Sequence, residues 1–146
     1  MVIVPFICPD VPHLKTNPVF LYYSDRFQKP NPFEPSLVVA IDDIIEKKLD
    51  AMVVLESQFV EGGVSGNESM IPKNERERAA AHKRVRASFR RRFESTADKY
   101  RDKLIELYGE EKGKKVRYAE AFEVCEYGRR PSQDDLETKL FPFFEK

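Results

Sequence analysis

Residues 35–59 read PSLVVAIDDIIEKKLDAMVVLESQF, and this stretch decides the fold. Leu37-Val38-Val39-Ala40-Ile41 is a short, largely β-branched apolar run with a proline shortly before it and an aspartate after it. That pattern predicts a strand over about 37–41, buried on both faces. Asp42 and Asp43 offer an N-cap and first-turn negative charge to a helix over about 43–58, whose apolar positions Ile44, Ile45, Leu49, Met52 and Val53 recur at helical spacing. A strand that feeds directly into an amphipathic helix is an α/β unit, and such a unit needs further strands beside it.

Upstream, Val19-Phe20-Leu21-Tyr22-Tyr23 predicts a strand over 19–23. A proline-punctuated loop precedes it, and the rigid segment DRFQKPNPFEP leads from it into the central unit. The opening apolar residues 2–7 are cut by Pro5 and followed by Pro9, which admits an edge strand at most. All three strand candidates therefore fall before residue 42.

Downstream, Glu61 to Ser69 is a polar loop containing Gly62, Gly63 and Gly66, without the Lys-Ser/Thr that a phosphate-binding loop requires. A long helix is predicted over about 73–108, with Pro72 fitting its start. Val85, Phe89, Phe93, Ala97, Tyr100, Leu104 and Tyr108 build one aromatic-rich face of it, and arginines and lysines occupy the other sides. Gly109 and Gly113 are expected to end or break this helix. Residues 116–131, VRYAEAFEVCEYGRRP, collect Glu120, Glu123, Glu126, Arg129 and Arg130 around Cys125 on a short helix or strand. They suit either the polar wall of a pocket or a set of ordinary surface ion pairs. A short helix over about 133–140 leads to the apolar end LFPFF, which calls for a surface to dock on.

With 146 residues the chain has room for one domain, and 41% apolar residues suffice for a core. The formal net charge is zero, so no global field points to nucleic acid or to a membrane. The distribution is uneven, because residues 73–103 hold 12 Lys/Arg against 5 Asp/Glu while the flanking segments are acidic. A basic helix of this kind invites a polyanion reading through Arg90-Arg91-Arg92, but its aromatics lie on the apolar stripe and not among the charges. Cys8 and Cys125 are too few for a disulfide framework or a cysteine-type zinc site. No stretch has the length of a membrane span, and the chain is expected to be cytoplasmic. In that setting the sequon Asn67-Glu68-Ser69 is a chance match.

Four segments carry a resemblance: FLYYSDRFQKPNPFEPSLVVAIDDIIEKKLDA, ESQF, YRDKLIELYGEEKGKKVRYAEAFEVCEYGRRPS and LFPFF. In this order they resemble the C-terminal half of a bacterial branch of the PIG-L/LmbE-type zinc N-deacetylases, the GlcNAc-phosphatidylinositol de-N-acetylase-like family. The resemblance spans nearly the whole chain. It implies a partial Rossmann-like α/β fold, a single domain over 1–146, and hydrolysis of N-acetyl amino sugars or related amides by metal-activated water.

The same resemblance marks what this chain lacks. The family's zinc is held by a His-Pro-Asp-Asp motif and a later His-x-x-His-type segment, and an Asp of the first motif is the general base. Neither motif is present, and the two histidines, His13 and His82, are 69 positions apart. Leu55 stands where relatives often carry a histidine, and Ala40 where they carry an aspartate. The chain is therefore expected to hold no catalytic residue, metal ligand or cofactor of its own and to be inactive alone. It reads as the rear portion of a larger domain, with Glu120, Phe122, Glu126 and Arg129 as candidates for the substrate side of the pocket. The partners implied are an N-terminal half-protein or a second copy, and an amino-sugar-type small molecule. The alternative is a non-enzymatic interaction module that binds a partner through an exposed sheet edge and the FPFF tail.

Overall fold

The computed structural model describes Phe6, residues 8–24 and residues 28–144. The chain is mixed α/β and divides into two compact units, one made of residues 1–38 with 121–146 and the other of residues 39–120. Among the described residues no helix is long and apolar enough to cross a membrane.

Strands β1 (Val19–Tyr23), β2 (Leu37–Ala40) and β3 (Ala119–Gly128) form one sheet in the order β1-β3-β2. The β1–β3 pair is antiparallel. β3 also exchanges bonds with the β2 segment in antiparallel sense, Ser36 N–H to Phe122 O and Ile41 N–H to Tyr118 O. The expected strand at 2–7 lies outside the described residues apart from Phe6, which is in an exposed turn. β3 lies in the segment read as helix or strand and is the sheet's central strand. Its buried positions are Ala119, Ala121 and Cys125, all small, with Glu120, Phe122, Glu123 and Val124 half-buried between them.

In the first unit, Leu37, Val38, Ala121, Cys125 and Leu136 are buried. The aromatic tail folds onto this unit's own sheet. Phe141 lies 6.1 Å from Phe122, and Phe143 packs edge-on against Phe141 at 5.8 Å. The helix expected over 133–140 is a single turn, α5 (Gln133–Asp135), capped by the Ser132 hydroxyl accepting from Asp135 N–H, and it continues into a wider turn at Leu136–Leu140.

The second unit is helical. The helix expected over 43–58 is divided into a 3-10 turn at Asp42–Ile44, α1 (Ile45–Val54) and α2 (Glu56–Phe59), with a break at Leu55. The helix expected over 73–108 is also divided. α3 (Glu75–Lys99) ends at Tyr100, whose ψ of 33° is off the helical path, and α4 (Arg101–Lys115) runs past the predicted stop. Gly109, at φ 78° and ψ 165°, kinks α4 in a conformation open essentially to glycine alone, and the helix resumes beyond it. Asn74 caps α3. Its carbonyl oxygen accepts from Glu77 N–H while the Glu77 carboxylate accepts from Lys73 N–H.

Asp42 does not cap α1. Its two carboxylate oxygens accept the backbone N–H groups of Arg117 at 3.0 Å and Tyr118 at 3.4 Å, which fixes the approach to β3. The core beneath consists of Ile41, Ile45, Leu49, Phe93 and Tyr118, with Val39, Met52 and Phe89 against it. Ile44, predicted on the apolar face, is 52% exposed because the 3-10 turn rotates it away.

Phe93→Ala should cost about 3–5 kcal/mol of stability, the range for removing a buried phenylalanine, and urea denaturation measures it. Asp42→Ala leaves two N–H groups without their acceptor and should cost roughly 1–3 kcal/mol in the same assay.

Candidate functional site

The four sequence candidates occupy or follow β3 but fall in different units. Glu120 belongs to the helical unit. Its carboxylate meets Lys48 Nζ at 2.8 Å with only 12% of the side chain exposed, and Lys48 sits over the Phe93 ring at 5.3 Å. This pair closes the polar edge of the core. Phe122 belongs to the sheet unit and stacks between Tyr23 and Phe141. Arg129, half exposed, lies 3.9 Å from Asp135, and its backbone N–H donates to Pro18 O. Gly128 allows that turn. Its φ is 85°, and a Cβ there would lie 2.4 Å from Pro18 O.

Glu126 is at the chemically richest point. Between the pairs Val19–Gly128 and Leu21–Val124, β1 advances two residues while β3 advances four, so β3 carries a bulge over Cys125, Glu126 and Tyr127. Bulges re-aim side chains, and this one brings Glu126 Oε2 to 2.8 Å from the Tyr22 hydroxyl, which donates to it. The Cys125 thiol lies 3.8 Å from the same oxygen, and its sulfur accepts from Tyr127 N–H at 3.4 Å. The Glu126 carboxyl is held below the usual carboxylate range by its own backbone N–H and the Tyr22 hydroxyl, with the Arg130 charge adding to this. The Tyr22 phenol is held well above its ordinary range by hydrogen bonding to Cys125 and Glu126.

Beside this group is an open hollow of about 440 Å³, lined among others by Ser36, Glu123, Cys125, Glu126, Arg130 and Gln133. Ser36 is anchored, its Oγ accepting from Val124 N–H at 2.9 Å. Glu123 accepts from Glu34 N–H at 3.1 Å. The hollow thus presents carboxylate acceptors beside guanidinium, amide and hydroxyl donors. Tyr22, Ser36 and Gln133 were not apparent as site residues from the sequence. Tyr22 sat inside an apolar strand pattern, and only the pairing with β3 gives its hydroxyl a purpose.

Among the described residues no three His, Cys, Asp or Glu side chains are gathered so as to hold a metal ion. His82 Nε2 lies 3.5 Å from Glu56 Oε1, an ion pair only when the imidazole is protonated and too poorly aligned for a hydrogen bond. Both Glu56 oxygens already accept from the Arg78 guanidinium, which keeps that carboxyl below its usual range and sets a positive charge where a cation would have to sit.

Comparison with known proteins finds no family model, no curated protein and no solved structure that matches this chain.

The depressed Glu126 carboxyl binds fewer protons in the folded chain than in the unfolded one. Its contribution to stability is therefore complete above the ordinary glutamate range and is lost as pH falls through the folded value. Carbon-detected NMR titration should place the Glu126 midpoint below that of an unperturbed glutamate, and Tyr22→Phe should raise it. An unchanged midpoint in the variant would show that the phenol does not hold the carboxylate.

Proposed function

We propose that this chain forms the substrate-side wall of a PIG-L/LmbE-type N-deacetylase, binding a hydroxyl-rich amino-sugar ligand without hydrolysing it. The hydrolytic zinc motif belongs on another polypeptide segment. The observation that carries this reading is the Tyr22–Glu126–Arg130 group on the bulge of β3, beside the hollow. Glu126 and Arg130 lie within YAEAFEVCEYGRRPS and Tyr22 within FLYYSDR, parts of two of the segments that carry the family resemblance. Sugar recognition needs fixed acceptors for hydroxyl groups and donors for ring and acetyl oxygens. Glu126 and Glu123 supply the first, and Arg130 and Gln133 the second.

The reading extends to the finer fold. The antiparallel β1-β3-β2 sheet with its following helices would be the rear of a Rossmann-like domain, and β2 occupies a sheet edge at which further strands could pair. The FPFF tail is a weaker candidate for recruiting a partner, since Phe141 already lies on Phe122.

Isothermal titration of the purified chain with N-acetylglucosamine and glucosamine tests the reading. Saturable binding is expected, weakened about tenfold or more in Glu126→Gln and Arg130→Ala, the loss typical of an unpaired polar contact. No binding of either sugar by the parent chain would sink it. Elemental analysis after dialysis should find far less than about one zinc per chain. A stoichiometric zinc, with release of acetate from the acetylated sugar, would overturn the non-hydrolytic part of the reading.

A further inference from the structure

We infer that the outer face of α3 is a docking surface for an acidic helix of a partner protein. The inference rests on the helical unit and is independent of the sugar-binding reading. Residues 78–93 contain seven Lys/Arg and no Asp or Glu, in a chain whose net charge is zero. Part of this charge is used internally. Arg86 pairs with Glu46 and Asp50, Arg90 pairs with Glu46, and Arg78 pairs with Glu56.

The remainder is arranged as a stripe. Arg76, Ala80, Lys83, Ala87 and Arg91 recur at three- and four-residue spacing and therefore share one face of α3. Arg76, Lys83 and Arg91 are exposed and make no ion pair among the described residues. Lys83 and Arg91 are eight residues apart, about 12 Å along the axis. An open groove of about 640 Å³ lies beside them, lined by the small Ala79 and Ala87 and otherwise by His82 and the cationic side chains Lys83, Arg86, Arg90 and Arg91.

The molecule itself shows what this helix accepts. On its inner flank the carboxylates Glu46 and Asp50, four residues apart on α1, meet the guanidiniums Arg86 and Arg90, four residues apart on α3. The outer stripe presents cations seven and eight residues apart, about two helical turns, with no acidic partner among the described residues. The uncharged members of the stripe are alanines, which give a membrane nothing to insert around. The aromatics of α3, Phe89 and Phe93, turn inward onto Phe59 and onto each other, so no ring is offered to a nucleic-acid base. A helix with carboxylates aligned along one side is the partner that matches the charge and spacing.

The test titrates the full chain at low ionic strength against a fluorescein-labelled, alanine-based helical peptide carrying glutamates at i, i+4, i+7 and i+11. An isomer of the same composition, with glutamates spread around the helix, is the control. The aligned peptide should bind about tenfold more tightly than the isomer, as expected when several charge pairs form in register. Lys83→Glu with Arg91→Glu should abolish that preference while leaving the circular dichroism spectrum and melting temperature unchanged. Should the reversal disturb folding, Lys83→Gln with Arg91→Gln serves the same purpose. Equal binding of the two isomers by the parent chain overturns the inference. So does tighter binding of a single-stranded oligonucleotide or of phosphatidylserine vesicles than of the aligned peptide.

Discussion

The carboxylate of Asp42 governs the helical unit. It stands at the junction where β2 ends and the first helical turn begins, and it receives two backbone N–H groups from residues 75 and 76 positions later in the chain. The Ile41 N–H completes the junction by donating to Tyr118 O. Together these bonds close a loop that contains α1 to α4, and closing a loop carries an entropic cost that rises slowly with its length. The compensation comes from Ile41, Ile45, Leu49, Phe93 and Tyr118, which become buried once the loop is closed. Asp42 gives up helix capping for this role, and the start of α1 is left without a side-chain cap.

The charges around the core act differently. Lys48 lies over Phe93 and pairs with Glu120, while Arg90 and Arg117 lie over the Tyr118 ring at 5.7 and 5.2 Å. Three cationic side chains thus cover the aromatic edge of the core, each with its charged group over a ring. The Glu46 carboxyl, held below its usual range by Arg90 and then Arg86, belongs to the same layer. Exposed pairs of this kind contribute little to stability individually.

The sequence made some of this legible and concealed the rest for identifiable reasons. Val19–Tyr23 was visible because aromatic and β-branched residues run together between prolines, and Leu37–Ala40 because an uninterrupted apolar run means burial on both faces. β3 was ambiguous because its inward positions are Ala119, Ala121 and Cys125, too small to give a strong period of two, and alanine and glutamate favour helices. The divisions at Leu55 and Tyr100 contain neither glycine nor proline, so no residue type announces them in the sequence. At the candidate site, Glu126 was legible as a charge in an apolar setting. Its orientation was not, since it depends on a bulge defined only by pairing with β1.

That bulge also bears on which chemistry the site can perform. A general acid or base works best when its proton affinity lies near the operating pH. Here the shifts run the other way. Glu126 is pushed down, so it remains an ionised acceptor at neutral pH, and Tyr22 is pushed up, so it remains a protonated donor. The Cys125 thiol is buried beside that carboxylate, 3.8 Å from Glu126 Oε2. Tyr22 as donor and Glu126 as acceptor are thereby each held in one hydrogen-bonding role. Fixed donors and acceptors of this kind suit hydrogen-bonded recognition, the role proposed for this group.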